Sequence, residues 1–358
     1  MTASSYKPAH NEFRSDTFTT PSQAMLESVF SCSVGDSVYN EDDDTKLLES
    51  RIADMCGKEA GLYCVSGTMT NQVGIRTHLK DPPYSIVCDY RSHVYQKEAA
   101  GLAMLSNAMV YPAYPSNGAY LTLEDIKKAV LIDDGDIHGA PTRLISLENT
   151  ISGVVIPIEE LKRIRSYCDD HGLILHCDGA RLWNASIASG VSFKEYGELF
   201  DSISICLSKG LGAPIGSVLV GSSAFIKKAN HWRKQLGGGT RQSGILARMA
   251  MVAIDENLPL IKSSHDKARN LADYLTSKGI KLLVPCDTNF VFLDFDKSPC
   301  DLKALLDAGK RYNVKLRGAR IAFHYQISDK SLENCKKAIM EAYEASDKIE
   351  EKTLGGTY

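Results

Sequence analysis

Hydrophobic and polar positions in the central part of the chain alternate between short apolar runs and longer helical patterns. The short runs predict strands at residues 61–65, 85–88, 143–147, 173–177, 202–207 and 215–220. The longer patterns predict helices at residues 68–79, 95–101 and 158–171. Strands that alternate with helices in this way indicate an α/β fold, with a mostly parallel sheet and helices on both faces.

The pattern changes after about residue 244. Long helices are predicted at residues 245–256, 265–278 and 330–348 and a shorter one at 302–308, with extended segments at 280–284, 289–293 and 319–323. A chain of this length exceeds the usual size of one hydrophobic core. We therefore expect a large α/β domain over residues 1–250, which includes the N-terminal segment, and a smaller α+β domain over residues 251–358.

Composition and charge narrow the class of protein. The 358 residues are 44% hydrophobic and 24% charged, and the formal net charge is −3, which gives no electrostatic reason for a nucleic-acid or membrane partner. The polar N-terminus lacks the apolar core of a signal peptide. None of the ten cysteines stands in a Cys-x-x-Cys pair, so we expect reduced thiols in a cytoplasmic protein and no metal site.

A lysine follows the predicted strand at residues 202–207. Lys209 lies in Ser208-Lys209-Gly210, and a glycine-rich turn follows it. Ligands bind at the carboxyl ends of strands in α/β sheets, and a lysine amine forms a Schiff base with a carbonyl once it is deprotonated. Taken alone, a solvated surface lysine in a turn is the more common interpretation, because Ser-Lys-Gly is a frequent sequence.

An aspartate follows the neighbouring predicted strand at residues 173–177. Asp178 could pair with a protonated pyridine nitrogen and so make the ring an electron sink. It could also do no more than cap the next helix.

Two further segments suit a phosphate. Ser66-Gly67-Thr68 leads from a strand into a helix, where N–H groups and a hydroxyl bind an anion well. Arg241 follows a run of glycines and adds a positive charge. Plain helix capping and a flexible loop are the alternatives. A phosphate cup, a ring-nitrogen carboxylate and a Schiff-base lysine together indicate a pyridoxal-phosphate site.

These motifs resemble those of the low-specificity L-threonine aldolases, and of their fungal members in particular. That family belongs to the fold type I, aspartate-aminotransferase-like, pyridoxal-phosphate-dependent enzymes. The most specific pieces are Asp178-Gly179-Ala180-Arg181 and the lysine segment up to Pro214. The resemblance covers nearly the whole chain, at residues 13–17, 34–39, 66–71, 92–93, 137–138, 147–150, 176–181, 207–214, 237–242 and 320–324.

The resemblance implies both a fold and an activity. The fold is a mostly parallel seven-stranded sheet with flanking helices and a smaller α+β C-terminal domain. The activity is a carbon–carbon lyase reaction that cleaves L-threonine, L-allo-threonine and related β-hydroxy-α-amino acids to glycine and an aldehyde. A cytoplasmic homotetramer built as a dimer of dimers, which acts in threonine catabolism and glycine biosynthesis, is also implied.

The resemblance also implies roles for individual residues. Lys209 forms the Schiff base, Asp178 pairs with the ring nitrogen and His93 stacks on the ring. The residues expected to bind the cofactor are Ser66, Gly67, Thr68, His93, Asp178, Arg181, Lys209 and Arg241. The residues expected to bind the substrate carboxylate are Ser15, Arg181 and Arg320, with Arg317 as the alternative to Arg320.

The proton acceptor and the reaction class leave alternatives open. His93, His138 or a water could take the proton of the β-hydroxyl, and Glu98 could either orient His93 or face solvent. An aminotransferase or a β-eliminating lyase of the same fold would share Lys209 and Asp178. Release of glycine and acetaldehyde from threonine without a keto acid would separate these activities.

Overall fold

The computed structural model describes residues 8–354, and the side chains of residues 8–346. The chain divides into a large unit, Pro21–Leu258, and a small unit, Met1–Thr20 together with Pro259–Tyr358. None of the helices in the described part is long and apolar enough to cross a membrane.

The large unit contains seven strands and the helices that flank them. The strands are β1 (Ala60–Cys64), β2 (Ser85–Asp89), β3 (Met109–Ala113), β4 (Thr142–Glu148), β5 (Ile174–Gly179), β6 (Ser202–Cys206) and β7 (Ser217–Gly221). The helices are α1 (Gln23–Ser28), α2 (Asp43–Met55), α3 (Gly67–His78), α4 (His93–Gln96), α5 (Gly101–Ser106), α6 (Leu123–Ala129), α7 (Ile158–His171), α8 (Leu182–Ser189), α9 (Phe193–Leu199), α10 (Ser223–Gln235) and α11 (Gly244–Asn257).

The strands form one sheet in the order β1-β7-β6-β5-β4-β2-β3. All neighbours are parallel except β7, which is antiparallel to β1 and β6. Strands β2 and β6 are buried along their whole length, although serines stand among their apolar residues. The predicted mostly parallel seven-stranded sheet is confirmed.

The carboxyl ends of the parallel strands meet at one edge of this sheet. Ser217 lies at the same edge, because β7 runs in the opposite direction and pairs its first residue with Cys64 and Cys206. At this edge β1 leads directly into α3, where Ser66 Oγ accepts a hydrogen bond from the Met69 N–H at 3.2 Å and caps the helix.

The small unit combines both ends of the chain. It contains α12 (Ile261–Ser277), β8 (Phe290–Phe292), α13 (Leu302–Arg311), β9 (Arg320–Ala322) and α14 (Asp329–Leu354), and β8 pairs antiparallel with β9. The Phe13 N–H donates to Lys315 O at 3.0 Å and the Ala322 N–H to Phe13 O at 2.8 Å. The Phe13 side chain is fully buried and packs edge-on against Phe323, with ring centroids 5.4 Å apart.

The N-terminal segment therefore groups with the small unit, whereas the sequence division placed it in the large domain. The reason is that Phe13 fills the small unit's core and its backbone hydrogen-bonds there. The boundary between the units lies between residues 258 and 259, not at the expected residue 250. The reason is that α11 continues to Asn257, whose side chain donates to Leu211 O in the large unit at 2.7 Å.

Three local expectations differ from the structure. The helix expected at residues 95–101 is broken into α4 and α5, because Ala99 and Ala100 adopt positive φ angles of 51° and 59°. Strand β3 lies at the sheet edge, includes Pro112 and was not predicted. The segment expected as a strand at 280–284 forms only an isolated bridge, between Leu282 and Leu293.

The cysteines agree with the expectation of reduced thiols. All ten are free, and seven of them are buried.

Candidate active site

The carboxyl edge of the sheet gathers the charged residues that the sequence singled out in the large unit. Asp178 lies in β5, Glu148 ends β4, and Lys209 follows β6 by three residues. The charges of Asp178, Arg181 and Lys209 all act on the carboxyl of Glu148. The predicted lysine, aspartate and Arg181 are therefore brought together at one place.

Asp178 is held in a fixed orientation. Its side chain is buried, and Oδ1 accepts a hydrogen bond from the Ala180 N–H at 3.0 Å. Oδ2 accepts from Asn71 Nδ2 at 2.8 Å. These two donors, on opposite oxygens, fix the plane of the Asp178 carboxyl group.

His93 is paired with a buried carboxylate. Its Nδ1 lies 2.8 Å from Glu98 Oε1, and the Glu98 side chain is fully buried, so Glu98 does not face solvent. Glu98 also accepts from Asn71 Nδ2 at 3.0 Å and from Gln72 Nε2 at 2.6 Å. The hydrogen bond to Glu98 raises the pKa of His93 above its usual value, and Asp178 adds to this effect against the opposing effect of burial.

Glu148 is a proton-binding group that the sequence did not identify. Burial, with the charge of Asp178, raises its pKa to about 7. The His93 N–H, which donates to Glu148 Oε2 at 2.8 Å, opposes this shift, as do the nearby cations. A carboxyl in this environment exchanges its proton near neutral pH.

The start of α3 is suited to an anion. The first turn of a helix leaves N–H groups without intrahelical partners. Ser217 Oγ lies nearby, since a Cβ added to Gly67 would come within 3.6 Å of it. Among the residues described, this buried hydroxyl has no hydrogen-bond partner. An unsatisfied hydroxyl beside a helix N-terminus fits a phosphate group.

The glycine-rich segment before Arg241 lies against the same helix. A Cβ on Gly238 would meet Met69 Sδ at 2.6 Å, so the glycine lets the two segments pack closely. Arg241 itself is half-exposed, and its guanidinium lies 3.0 Å from Asp36.

The residues expected to bind the carboxylate are distributed over the two units. Arg181 caps α8 in the large unit. In the small unit, Arg320 donates to Arg14 O at 3.0 Å, and that backbone group directly precedes Ser15. Ser15 Oγ accepts from the Thr17 N–H at 3.3 Å. Arg317 is exposed, whereas Arg320 is half-buried. Because Arg320 also contacts the residue before Ser15, it is the candidate of the two that lies beside Ser15.

His138 lies on an exposed loop. Its side chain is 87% exposed, and Nδ1 is 2.7 Å from Asp136 Oδ1. No hydrogen bond or ion pair found within residues 8–346 joins it to Asp178, His93 or Lys209. The position of His138 near the substrate β-hydroxyl, which the resemblance implies, therefore stays a prediction.

His93, Glu98 and Asp178 also form a grouping that sequence spacing did not reveal. Each offers one potential metal-ligand atom, and these atoms lie within 4.8 Å of one another. The Asn71 amide already donates to both carboxylates, and a cation would have to displace it. We therefore assign the three residues to a hydrogen-bond network.

Asn71, Gln72 and Glu148 are the candidate functional residues that the sequence analysis missed. Asn71 and Gln72 follow the phosphate motif on α3, and Glu148 ends a predicted strand, so their positions gave a weak indication. Their contacts depend on residues far apart in the chain.

A mostly parallel seven-stranded sheet, with a lysine and a buried aspartate at its carboxyl edge, defines the fold type I class of pyridoxal-phosphate-dependent enzymes. In agreement, the solved structure of Leishmania major threonine aldolase superposes with a TM-score of 0.76 at 20% identity, over 92% of this chain and 98% of that one.

The sequence comparisons are more specific. A family model described as beta-eliminating lyase matches residues 12–298. A low-specificity L-threonine aldolase of Eremothecium gossypii is 60% identical over 344 residues, 96% of this chain and 90% of the relative. The Saccharomyces cerevisiae protein of the same description is 60% identical over 340 residues, 95% of this chain and 88% of the relative. The chain belongs to the beta-eliminating lyase family, and within it to the low-specificity L-threonine aldolases.

Proposed function

We propose that this protein cleaves L-threonine and related β-hydroxy-α-amino acids to glycine and an aldehyde with pyridoxal phosphate as cofactor. The observation that carries the proposal is the position of Glu148, Asp178 and Lys209 at or just beyond the carboxyl ends of the neighbouring parallel strands β4, β5 and β6. The 60% identity to low-specificity L-threonine aldolases over nearly the whole chain supports this substrate class.

The residues at the sheet edge fit the cofactor. The amine of Lys209 would attach it, Asp178 would pair with its ring nitrogen and His93 would lie against its ring. Gly67, Thr68 and the Ser217 hydroxyl would hold its phosphate, with Ser66 capping the helix. When bound, pyridoxal phosphate supplies an electron-withdrawing ring that stabilises the negative charge developing at the substrate Cα.

The phosphate site also includes Arg241. We propose that its guanidinium contributes a charge there, because its segment packs against the first turn of α3. The contact with Asp36 would then hold the guanidinium in place.

The substrate is oriented by its carboxylate. We propose that Arg181, Arg320 and Ser15 bind this group, because guanidinium groups match carboxylates with paired hydrogen bonds. Fixing the carboxylate sets the rotation about the Cα–N bond and so decides which bond breaks.

We assign the transfer of the β-hydroxyl proton to His93. Its Nδ1 is engaged by Glu98, which leaves Nε2 to accept the proton of the substrate β-hydroxyl. Glu148, with a pKa of about 7, lies at the same edge and can supply the proton that the substrate Cα takes up when glycine forms. A contribution from His138 stays a prediction, which a comparison of His138→Asn with wild type will test.

The test uses the purified holoenzyme and L-threonine without any keto acid. We expect equal amounts of glycine and acetaldehyde, with aldehyde measured by coupled reduction. Lys209→Ala should abolish both the products and the cofactor absorbance, and Asp178→Asn should lower turnover by orders of magnitude while cofactor stays attached. Release of ammonia and a keto acid in place of glycine would refute the aldolase assignment and favour β-elimination.

The assembly and location are the remaining parts of the proposal. We propose a cytoplasmic homotetramer built as a dimer of dimers that acts in threonine catabolism and glycine formation. Light scattering of the holoenzyme should give four times the 39.2 kDa mass of one chain. A monomer or dimer at working concentrations would contradict it.

A further inference from the structure

A chain of polar side chains, buried except for the half-buried His78, runs through the large unit from one edge of the sheet to the other. It begins at the Asn71 amide, which contacts Asp178 and Glu98. Asn71 Oδ1 lies 3.3 Å from His176 Nε2, and His176 Nδ1 lies 2.8 Å from Ser202 Oγ. The same hydroxyl lies 2.8 Å from His78 Nε2.

The chemistry of the two carboxylates determines the direction of every hydrogen bond in this chain. Carboxylate oxygens only accept, so the amide nitrogen of Asn71 must face Asp178 and Glu98. Its oxygen then faces His176, which must donate from Nε2. His176 is thereby left with an unprotonated Nδ1.

The remaining links follow from the same reasoning. Ser202 donates its single hydroxyl proton to His176 Nδ1 and accepts from His78 Nε2–H. Both rings are neutral, because burial lowers the pKa of His176 to about 3 and that of His78 to about 4. One proton arrangement therefore satisfies the whole chain.

The far end of the chain lies away from the active site. His78 ends α3 and Ser202 begins β6, at the amino edge of the sheet. His78 also stacks on Phe225, with ring centroids 4.3 Å apart, and lines a cavity of about 1050 Å³. The packing on Phe225 fixes the ring that orients Ser202.

We propose that His78, Ser202 and His176 are positioning residues that hold the Asn71 amide with its nitrogen toward Asp178 and Glu98. Asn71 thereby donates both to Asp178, which is assigned to the cofactor ring nitrogen, and to Glu98, which pairs with His93. The inference rests on the proposed function for the identity of these two carboxylates. Without these three residues, which we call the relay, Asn71 Oδ1 loses its fixed donor and the amide is held less firmly against the two carboxylates.

The chain offers a matched pair of serines for the test. Ser202 begins β6 and Ser85 begins β2, both are fully buried, and Ser85 Oγ bonds only Thr142 Oγ1 among the contacts found in residues 8–346. In the holoenzyme, we expect Ser202→Ala to lower kcat about 3- to 10-fold with KM nearly unchanged, as for one lost neutral hydrogen bond. Ser85→Ala should leave both constants at wild-type values.

Asn71→Asp separates positioning from packing. This variant keeps the shape of the side chain but removes both N–H donors. We expect a loss in kcat of about 10- to 100-fold, as for a lost hydrogen bond to a charged group, and a larger loss than in Asn71→Ala. Better function in Asn71→Asp than in Asn71→Ala would mean that Asn71 only fills space and would overturn the proposal.

A second measurement needs no substrate. Nitrogen-15 NMR of the histidine rings should show His176 protonated at Nε2 alone in wild type and in Ser85→Ala, and a mixture of tautomers in Ser202→Ala. A His176 protonated at Nδ1 in wild type would overturn the relay, even in an active enzyme. A wild-type protein that fails to cleave threonine but shows the expected tautomer would instead reject the proposed function and keep the relay.

Discussion

Replacement of Glu98 by glutamine removes one buried charge and little else. Glu98 Oε2 accepts from Gln72 Nε2 at 2.6 Å, so the new amide nitrogen would meet another N–H group. Gln72 can turn its own amide over, because its Oε1 is buried and has no partner among the described residues. We therefore expect Glu98→Gln to fold with a melting temperature close to that of wild type.

The effect on His93 follows from the lost charge. A hydrogen bond to an ionised acceptor is stronger than one to a neutral acceptor by about 1–1.5 kcal/mol, which corresponds to about one pKa unit. The His93 side chain is 43% exposed and its partner is fully buried, so water screens the pair only in part. We expect the pKa of His93 to fall in Glu98→Gln, by the part of this difference that water does not screen.

NMR titration of the His93 ring in the cofactor-free protein measures this shift. Asp136→Asn is the matched control, because His138 and Asp136 form a pair of similar length, 2.7 Å, whose side chains are 87% and 61% exposed. We expect that exposed pair to contribute little. An unchanged pKa of His93 in Glu98→Gln, or an equal shift of His138 in the control, would refute the reasoning.

Three further predictions concern stability and the lysine loop. Because the pKa of Glu148 is raised to about 7, its contribution to stability is full below its unfolded value near 4.5 and is lost as pH rises through about 7. Melting curves of the cofactor-free protein between pH 5 and 8 should therefore show wild type losing stability relative to Glu148→Gln, and parallel curves would contradict this. Phe13→Ala should destabilise the small unit by about 3–5 kcal/mol in denaturant unfolding, since Phe13 is fully buried against Phe323; a loss below about 1 kcal/mol would show that the segment is not part of the core. Gly216→Ala should lower cofactor occupancy measured by absorbance, because φ is +124° and a Cβ would lie 2.4 Å from the Tyr63 ring in the turn after the lysine; full occupancy would mean that the turn adapts.

Much of the sheet in the large unit could be predicted from the sequence, because its buried parallel strands are short segments rich in apolar residues. Strand β3 was missed because it lies at the sheet edge, contains Pro112 and exposes Met109. The break between α4 and α5 was missed because Ala99 and Ala100 rarely adopt positive φ, so composition gave no indication of it.

Residues of the candidate site could be predicted only where a short local motif contains them. Lys209 and Asp178 follow predicted strands, and parallel strands bring their carboxyl ends together. The burial of Glu98 was not predictable, because its donors on α3 precede it by more than twenty residues. The exposed loop of His138 likewise depends on tertiary structure that no short motif encodes.

The small unit is built from both ends of the chain, and this affects the order in which its parts are synthesised. Its described N-terminal part, residues 8–20, is separated along the chain from the rest of the small unit by the whole large unit, Pro21–Leu258. The ribosome therefore synthesises the residues that pack around Phe13 last. The large unit can fold during synthesis, before those residues are available to the N-terminal segment. Premature termination between α11 and β9 would leave the Phe13 side chain without Phe323, as an exposed hydrophobic group that chaperones and proteases can recognise.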